Sequence, residues 1–250
     1  MISEKNQFHD ESHDWHSTEY VDGWINRIET RSPRIVQERI SMYRSVLQEF
    51  SFSVGKPVRI LELGIGWADL TRELMDAFPQ AELVGLDGSS AMLDRARETL
   101  APWSDRVQFH RADLADKHAL DKLGMFDGIL TVSTLHHLTY PQFDTLVGQI
   151  VDHLKPDGRF INSDFFYRSK RFRPRMLWML AALAKQSSLS KSLTALLENT
   201  AFNQQSKERG PESTHRKPRL SEYLNLLQKN GMRARWQKHE SRFVVVAELD

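Results

Sequence analysis

The sequence of 250 residues has no cysteine. That absence excludes disulfides, thiolate metal sites and a cysteine nucleophile. It also has no apolar run near the ~20 residues that span a bilayer, and its opening, MISEKNQFHDESHDWH, has no signal-peptide core. A cytoplasmic location is therefore expected. Neither sign of charge dominates, the formal net charge being +1 at pH 7, and no internal repeat or low-complexity tract is visible. What is there is ordinary for a soluble globular chain: 40% hydrophobic and 27% charged residues. The length suffices for one well-buried domain with elaborations.

Residues 1–19 are polar and histidine-bearing and read as an arm. Helical spacing follows in Val21, Trp24, Ile25 and Ile28, then in Ile35, Ile40, Tyr43, Val46 and Leu47, with Pro33 in the first turn of the second helix after Ser32 as its cap. Strands and helices then alternate. Strands are expected at 58–63, 82–87, 107–111, 126–132 and 159–166. Helices are expected at 68–78, 91–100 (entered through Ser89 or Ser90), 117–123 and 142–154, the last joined to its strand by the turn KPDG. Such alternation with short connections makes a parallel sheet covered on both faces. The alternation breaks at Tyr167 for about fifty residues. It resumes with a helix at 221–230, stopped by Gly231, and two strands at 233–238 and 242–248. The link HES between those strands is too short for a parallel crossover, so they form an antiparallel hairpin.

The stretch ILELGIGWADL (60–70) places two close glycines between the first strand and its helix. In a parallel sheet, ligands sit beyond the carboxyl ends of the strands. A dinucleotide fingerprint needs glycine at position 69, where Asp69 stands, and a carboxylate there repels a pyrophosphate. The spacing instead reads Gly64, Gly66, Ala68 after an acidic Glu62. This suits a cofactor with an amino-acid end and no phosphate, namely S-adenosylmethionine. Small residues admit the methionyl portion, and Glu62 recruits its ammonium. Asp87, with Gly88 after it, ends the second strand in position to grip the ribose hydroxyls. Asp113 is placed to accept from the adenine amino group, with Leu114 on the ring face. Met92, one helical turn past Asp87, either covers the adenine or fills the core. The fourth strand ends in TVSTLHHL, so that Thr131, Val132 and Ser133 pass beside the sulfonium.

The chain here resembles the class I S-adenosylmethionine-dependent methyltransferases. The resemblance rests on ILELGIGWADL, LVGLDGSSAMLDRARETL, VQFHRADLAD, FDGILTVSTLHHL and LKPDGRFINSDFF in that order, and on the terminal hairpin. It covers roughly residues 56–166 and 218–250, and Ala68 replaces a third glycine. It implies an α/β fold: a Rossmann-like, seven-stranded, mostly parallel sheet with a C-terminal antiparallel hairpin, helices on both faces and a helical insert after the fifth strand. Residues 1–55 would form an arm and helical lid, 56–167 and 218–250 the cofactor-binding core, and 168–217 a basic cap over the substrate.

Methyl transfer from a sulfonium is an in-line displacement in which alignment does much of the work. An acceptor with a high pKa also needs a base. His136, His137 and Asp164 stand at the right strand ends, the two histidines with a purely structural alternative; Asp164 is the residue expected to touch the acceptor. Many relatives lay an N-terminal helix over the cofactor, and Tyr20 and Trp24 would supply its aromatic wall. No metal is called for. Between Arg168 and Arg219 twelve Lys/Arg face three acids, so the rest of the chain carries −8. Three readings of that insert compete. The first is a small-molecule enzyme with an apolar or anionic acceptor. The second is an RNA-directed enzyme, or one like the carboxy-S-adenosylmethionine synthases. The third is a non-catalytic binder or a lipid modifier on an anionic membrane. A homodimer through the insert is also open.

Overall fold

Alternation along the first strand sets up two cores. The computed structural model describes residues 15–30, 33–50, 57–166, 219–239 and 242–250. In it β1 (Val58–Leu63) turns Leu61 and Leu63 to one face of a sheet and Ile60 to the other, the period-two pattern of a strand buried on both sides. Its neighbours are β2 (Ala81–Asp87), β3 (Val107–Arg111), β4 (Phe126–Val132), β5 (Leu154–Asp164), β6 (Met232–His239) and β7 (Arg242–Leu249). The order is β3-β2-β1-β4-β5-β7-β6, with β1 to β5 parallel and β7 antiparallel to both its neighbours. The expected hairpin is therefore present, and its second strand lies inside the sheet with β6 at the edge.

On one face α5 (Tyr140–His153) and α6 (Leu220–Lys229) pack Phe143, Leu146, Tyr223 and Leu227 on Leu61, Leu63 and Ile129. Phe143 and Tyr223 stack with ring centroids 4.9 Å apart. On the other face α2 (Pro33–Leu47), α3 (Thr71–Ala77) and α4 (Ser90–Thr99) cover Ile60, Leu83 and Leu130 with Tyr43, Val46, Leu74 and Leu93. A separate small cluster joins α1 (Thr18–Glu29) to α4 through Val21, Ile28, Ala91 and Met92, with Trp67 among them. An ion pair between Arg95 and Asp22, 2.8 Å at each of two contacts, fastens the same two helices.

Three expectations need correction. The helix after β1 begins at Thr71, not at residue 68, because Gly64, Gly66 and Ala68 all take positive φ and the chain turns until Leu70. Residues 117–123 form consecutive turns instead of a helix. Asp113 and Asp116 accept from the backbone two residues on, which competes with helical bonding, and Lys122 and Gly124 are left-handed. The KPDG segment is no turn, since β5 starts at Leu154 opposite Phe126 and absorbs those residues as an irregularity before Arg159 pairs with Gly128. Ser32, most of the arm and the whole insert at 168–217 lie outside the described residues, as do the partners assigned to that insert.

Because β1 lies between β2 and β4, its crossover and that of β4 leave toward opposite faces. A crevice opens at their carboxyl ends, the switch point where ligands bind in such sheets.

Candidate functional site

The loop leaving β1 forms the floor of that crevice. Gly64 and Gly66 have φ of 69° and 57°, the left-handed region that side chains disfavour. A Cβ on Gly64 would stand 2.3 Å from the Thr134 side chain of the loop after β4, so these two loops meet only because position 64 is glycine. Gly64→Ala is accordingly expected to lose about 2 kcal/mol or more of stability, read as a lower urea midpoint. Above the loop lies a cavity of about 730 Å³. Small-molecule sites run to roughly 300–1,000 Å³, so there is space for a nucleoside cofactor and an acceptor together.

Carboxylates ring this cavity: Glu62, Asp69, Asp87 and Asp113 all line it. Asp87, ending β2, accepts from the Gly66 amide at 2.9 Å with one oxygen and from the Ser89 amide at 2.9 Å with the other. Burial pushes its carboxyl up, and the amides of Ser89, Gly66 and Gly88 pull it back. The glycine loop is thus tied to the second strand by the residue expected to grip a ribose. Asp113 accepts from the Ala115 amide at 2.9 Å, with Leu114 beside it on the wall.

Glu62 is 4% exposed beneath the loop. It accepts from the Thr71 hydroxyl at 2.9 Å and from the Tyr43 hydroxyl at 3.3 Å to each oxygen. Burial pushes its carboxyl from 4.5 up to about 8, against the opposing donation of Thr71 and Tyr43. Between those two values the folded chain holds a proton that the unfolded chain has released, so this group's contribution to stability falls as pH rises across the window. Glu62→Gln is expected to flatten the decline of ligand-free melting temperature between pH 5 and 8, measured by calorimetry. An unchanged slope would show that the carboxyl titrates normally.

At the end of β4, Ser133 takes φ of 58° and is followed by a short helical turn, Leu135–His137. His136 lines the cavity, and its Nδ1 lies 2.8 Å from Oδ1 of Asp164. Its backbone amide donates to Oδ2 of the same carboxylate at 3.1 Å. Asp164, at 2% exposure, sits behind the histidine and is not a lining residue. The expectation that it touches the acceptor therefore gives way to a different arrangement. A carboxylate on Nδ1 makes that nitrogen the donor, which leaves Nε2 as the basic nitrogen. His137 also lines the cavity, its ring 4.1 Å from that of His136.

Of the other expected residues, Trp24, Gly88, Met92, Val132 and Ser133 line the cavity. Tyr20 does not; it packs edge-on against Trp15, 5.2 Å between centroids. Thr131 is fully buried in the sheet, away from the lining. Several lining residues carry no local motif: Trp15 ahead of α1, Arg39 and Tyr43 on α2, and Arg242 on β7. Trp15 ties the segment ahead of α1 to the start of α4, its carbonyl accepting from the Ser89 hydroxyl. Arg39 pairs with Asp69 at 2.9 Å and lies 5.4 Å over the Trp67 ring. Trp67 stands within the glycine-loop motif and Thr71 directly after it, where closeness in sequence to Glu62 is the available signal.

The donor set can be tested against the cofactor. Five acidic side chains around the crevice, Glu38 besides the four above, with Asp69 on the loop where a pyrophosphate would lie, oppose a dinucleotide and suit a cationic nucleoside. A Cβ on Gly66 would meet nothing within 4 Å, so the loop backbone is open to close approach there. The residues fit S-adenosylmethionine. Among the described residues no cluster of His, Cys, Asp and Glu suits a metal ion, and no helix is long and apolar enough to cross a membrane.

Residues 60–158 match the family described as a methyltransferase domain. The chain is 31% identical over 100 residues to trans-aconitate 2-methyltransferase of Deinococcus radiodurans, covering 40% of this chain and 35% of that one. It is 34% identical over 114 residues to malonyl-[acyl-carrier protein] O-methyltransferase of Anoxybacillus flavithermus, covering 45% and 40% respectively. The chain thus spans well under half the length of these relatives. An O-methyltransferase family protein from Burkholderia thailandensis shares the fold at a TM-score of 0.63 and 15% identity, over 94% of this chain and 61% of that one. Residues 60–158 thus match a methyltransferase domain, and the strand order and glycine loop around them are those of the class I S-adenosylmethionine-dependent methyltransferase fold.

Proposed function

We propose that the chain is an S-adenosylmethionine-dependent methyltransferase that acts on a small-molecule acceptor with an ionisable hydroxyl, His136 serving as the base. The observation that carries this is the pairing of an acid-lined crevice at the β1–β4 switch point with the His136–Asp164 couple on its wall. When bound, the cofactor supplies a methyl group on a sulfonium and leaves as the neutral thioether, S-adenosylhomocysteine.

The chain's own residues do the rest. Asp87 would hold the ribose diol and Asp113 the adenine amino group, with Leu114 and Met92 as apolar walls for the ring. Glu62, Gly64 and Gly66 would receive the amino-acid end, Glu62 releasing its proton to solvent so that the carboxylate pairs with the ammonium. Val132 and Ser133 border the reacting centre. Trp24 and Trp15 close the top, excluding water so that the charges within act at lower dielectric. His136 takes the acceptor proton on Nε2, and Asp164 keeps the ring in that tautomer and stabilises the imidazolium that results. The acceptor oxygen, thus uncovered, needs only alignment. The trans-aconitate enzyme among the relatives favours a small acceptor in keeping with this.

Calorimetry with S-adenosylhomocysteine, then a methyl-transfer screen over phenols, enols and small acids, tests the proposal. Binding with turnover of at least one hydroxyl or acid acceptor is expected. Binding of NAD in preference to the homocysteine nucleoside would overturn it, as would cofactor binding with no transfer to any acceptor class.

A further inference from the structure

Two arginines line the cavity, and they differ in one respect. Arg39 is matched by Asp69 at 2.9 Å. Arg242, at the start of β7, has no carboxylate at ion-pair distance among the described residues. Its guanidinium donates to the Ser133 hydroxyl and lies 4.0 Å over the Phe165 ring. Asp164 attracts it through space, yet that carboxylate already accepts from the His136 ring, the His136 amide and the Phe165 amide. Burial pulls the arginine's own pKa down, with repulsion from Arg39 adding to it.

A half-buried cation on a cavity wall with only a hydroxyl and an aromatic face for company lacks an anion. Its planar fork matches a carboxylate, whose two oxygens accept in parallel. The aromatic ring beneath it is shared, because the His136 ring also meets Phe165 in a T-shaped contact, 6.5 Å between centroids. Whatever Arg242 holds is therefore held one ring away from the base. Resting on the methyltransferase reading for the identity of the pocket, we infer that Arg242 is the carboxylate-recognising residue of the acceptor site. The acceptor class is a small acid, aromatic or enolic, that carries its reacting hydroxyl near a carboxylate. Ser133 and Phe165 fix the guanidinium in place, and the left-handed backbone at Ser133 aims its hydroxyl there.

The test compares benzoate with benzamide and salicylate with salicylamide by calorimetry on the full chain, with and without S-adenosylhomocysteine. The expected result is a preference of about tenfold for each acid over its amide. Arg242→Gln and Arg242→Met should reduce that preference to within about twofold while S-adenosylhomocysteine binds as before, and Arg242→Lys should retain part of it. Equal binding of acid and amide by the wild-type chain, or no binding of either acid at millimolar concentration, overturns the inference. So does a preference that survives in Arg242→Gln. If a variant fails to fold, the wild-type comparison and Arg242→Lys still decide. Failure of S-adenosylhomocysteine to bind would instead strike the methyltransferase reading, and the ligand-free comparison of acids with amides would still report on Arg242.

Discussion

Replacing His136 with alanine is expected to lower kcat by ~10²–10⁴-fold, the usual contribution of a positioned general base. Affinity for S-adenosylhomocysteine should be unchanged. The deficit should narrow as pH approaches the pKa of the acceptor hydroxyl, since an acceptor that ionises unaided has no use for a base. That dependence separates lost chemistry from a damaged fold, which would not recover with pH. Asp164→Asn probes the same step one residue back. Asp164 touches His136 at both the ring and the amide, and it is a positioning residue because it lies behind the histidine. Its substitution should reduce kcat less than loss of His136, with KM little altered and the same narrowing at high pH. A full rate in His136→Ala at neutral pH would mean that the acceptor arrives already nucleophilic, and the histidine's part in catalysis would have to be given up.

Asp87→Ala is the second large effect. It removes the proposed acceptor for the ribose hydroxyls and also the anchor of two amides, Gly66 and Ser89. Hydrogen bonds to a charged group contribute ~1.5–3 kcal/mol each, so loss of two ribose contacts should weaken S-adenosylhomocysteine binding by roughly 100-fold or more. Asp87→Asn keeps the size and one carbonyl acceptor, and it should fall between. Titration calorimetry gives the answer directly. Because the carboxylate is half-buried and holds two amides, its removal also frees the loop, and a loss of heat-stability in the ligand-free protein should accompany the loss of affinity.

These residues were legible in the sequence because each lies at a strand tip, where local pattern and chemistry coincide. The strands Val58–Leu63, Val107–Arg111 and Phe126–Val132 occupy the spans that their apolar runs and flanking turn residues indicate. Glu62, Asp113 and His136 follow from where those strands stop, and Asp87 from the end of β2. The segment 117–123 misled because its apolar spacing is helical while its aspartates bond the backbone in turns, a competition that periodicity does not register. Tyr20 and Trp24 are a helical turn apart, but only Trp24 faces the cavity; Trp15, which precedes the helix and so belongs to no period, takes the other place. Arg39, Tyr43 and Arg242 reach the site through long-range packing of α2 and β7 on the sheet. No spacing within the chain announces that. The role of Asp164 changed for a similar reason: position at a strand end was readable, but the turn of His136 across it was not.

The antiparallel last strand has a temporal consequence. Arg242 enters the pocket from a segment that must slot between β5 and β6, so the wall it completes exists only once the segment after α6 has been made and has paired with β5. A nascent chain could already have its nucleoside-facing loops folded while its acceptor side gapes to solvent. Selectivity for the partner molecule would then be acquired later in synthesis than the nucleoside-facing loops, and surrendered first if the β6–β7 hairpin peels away.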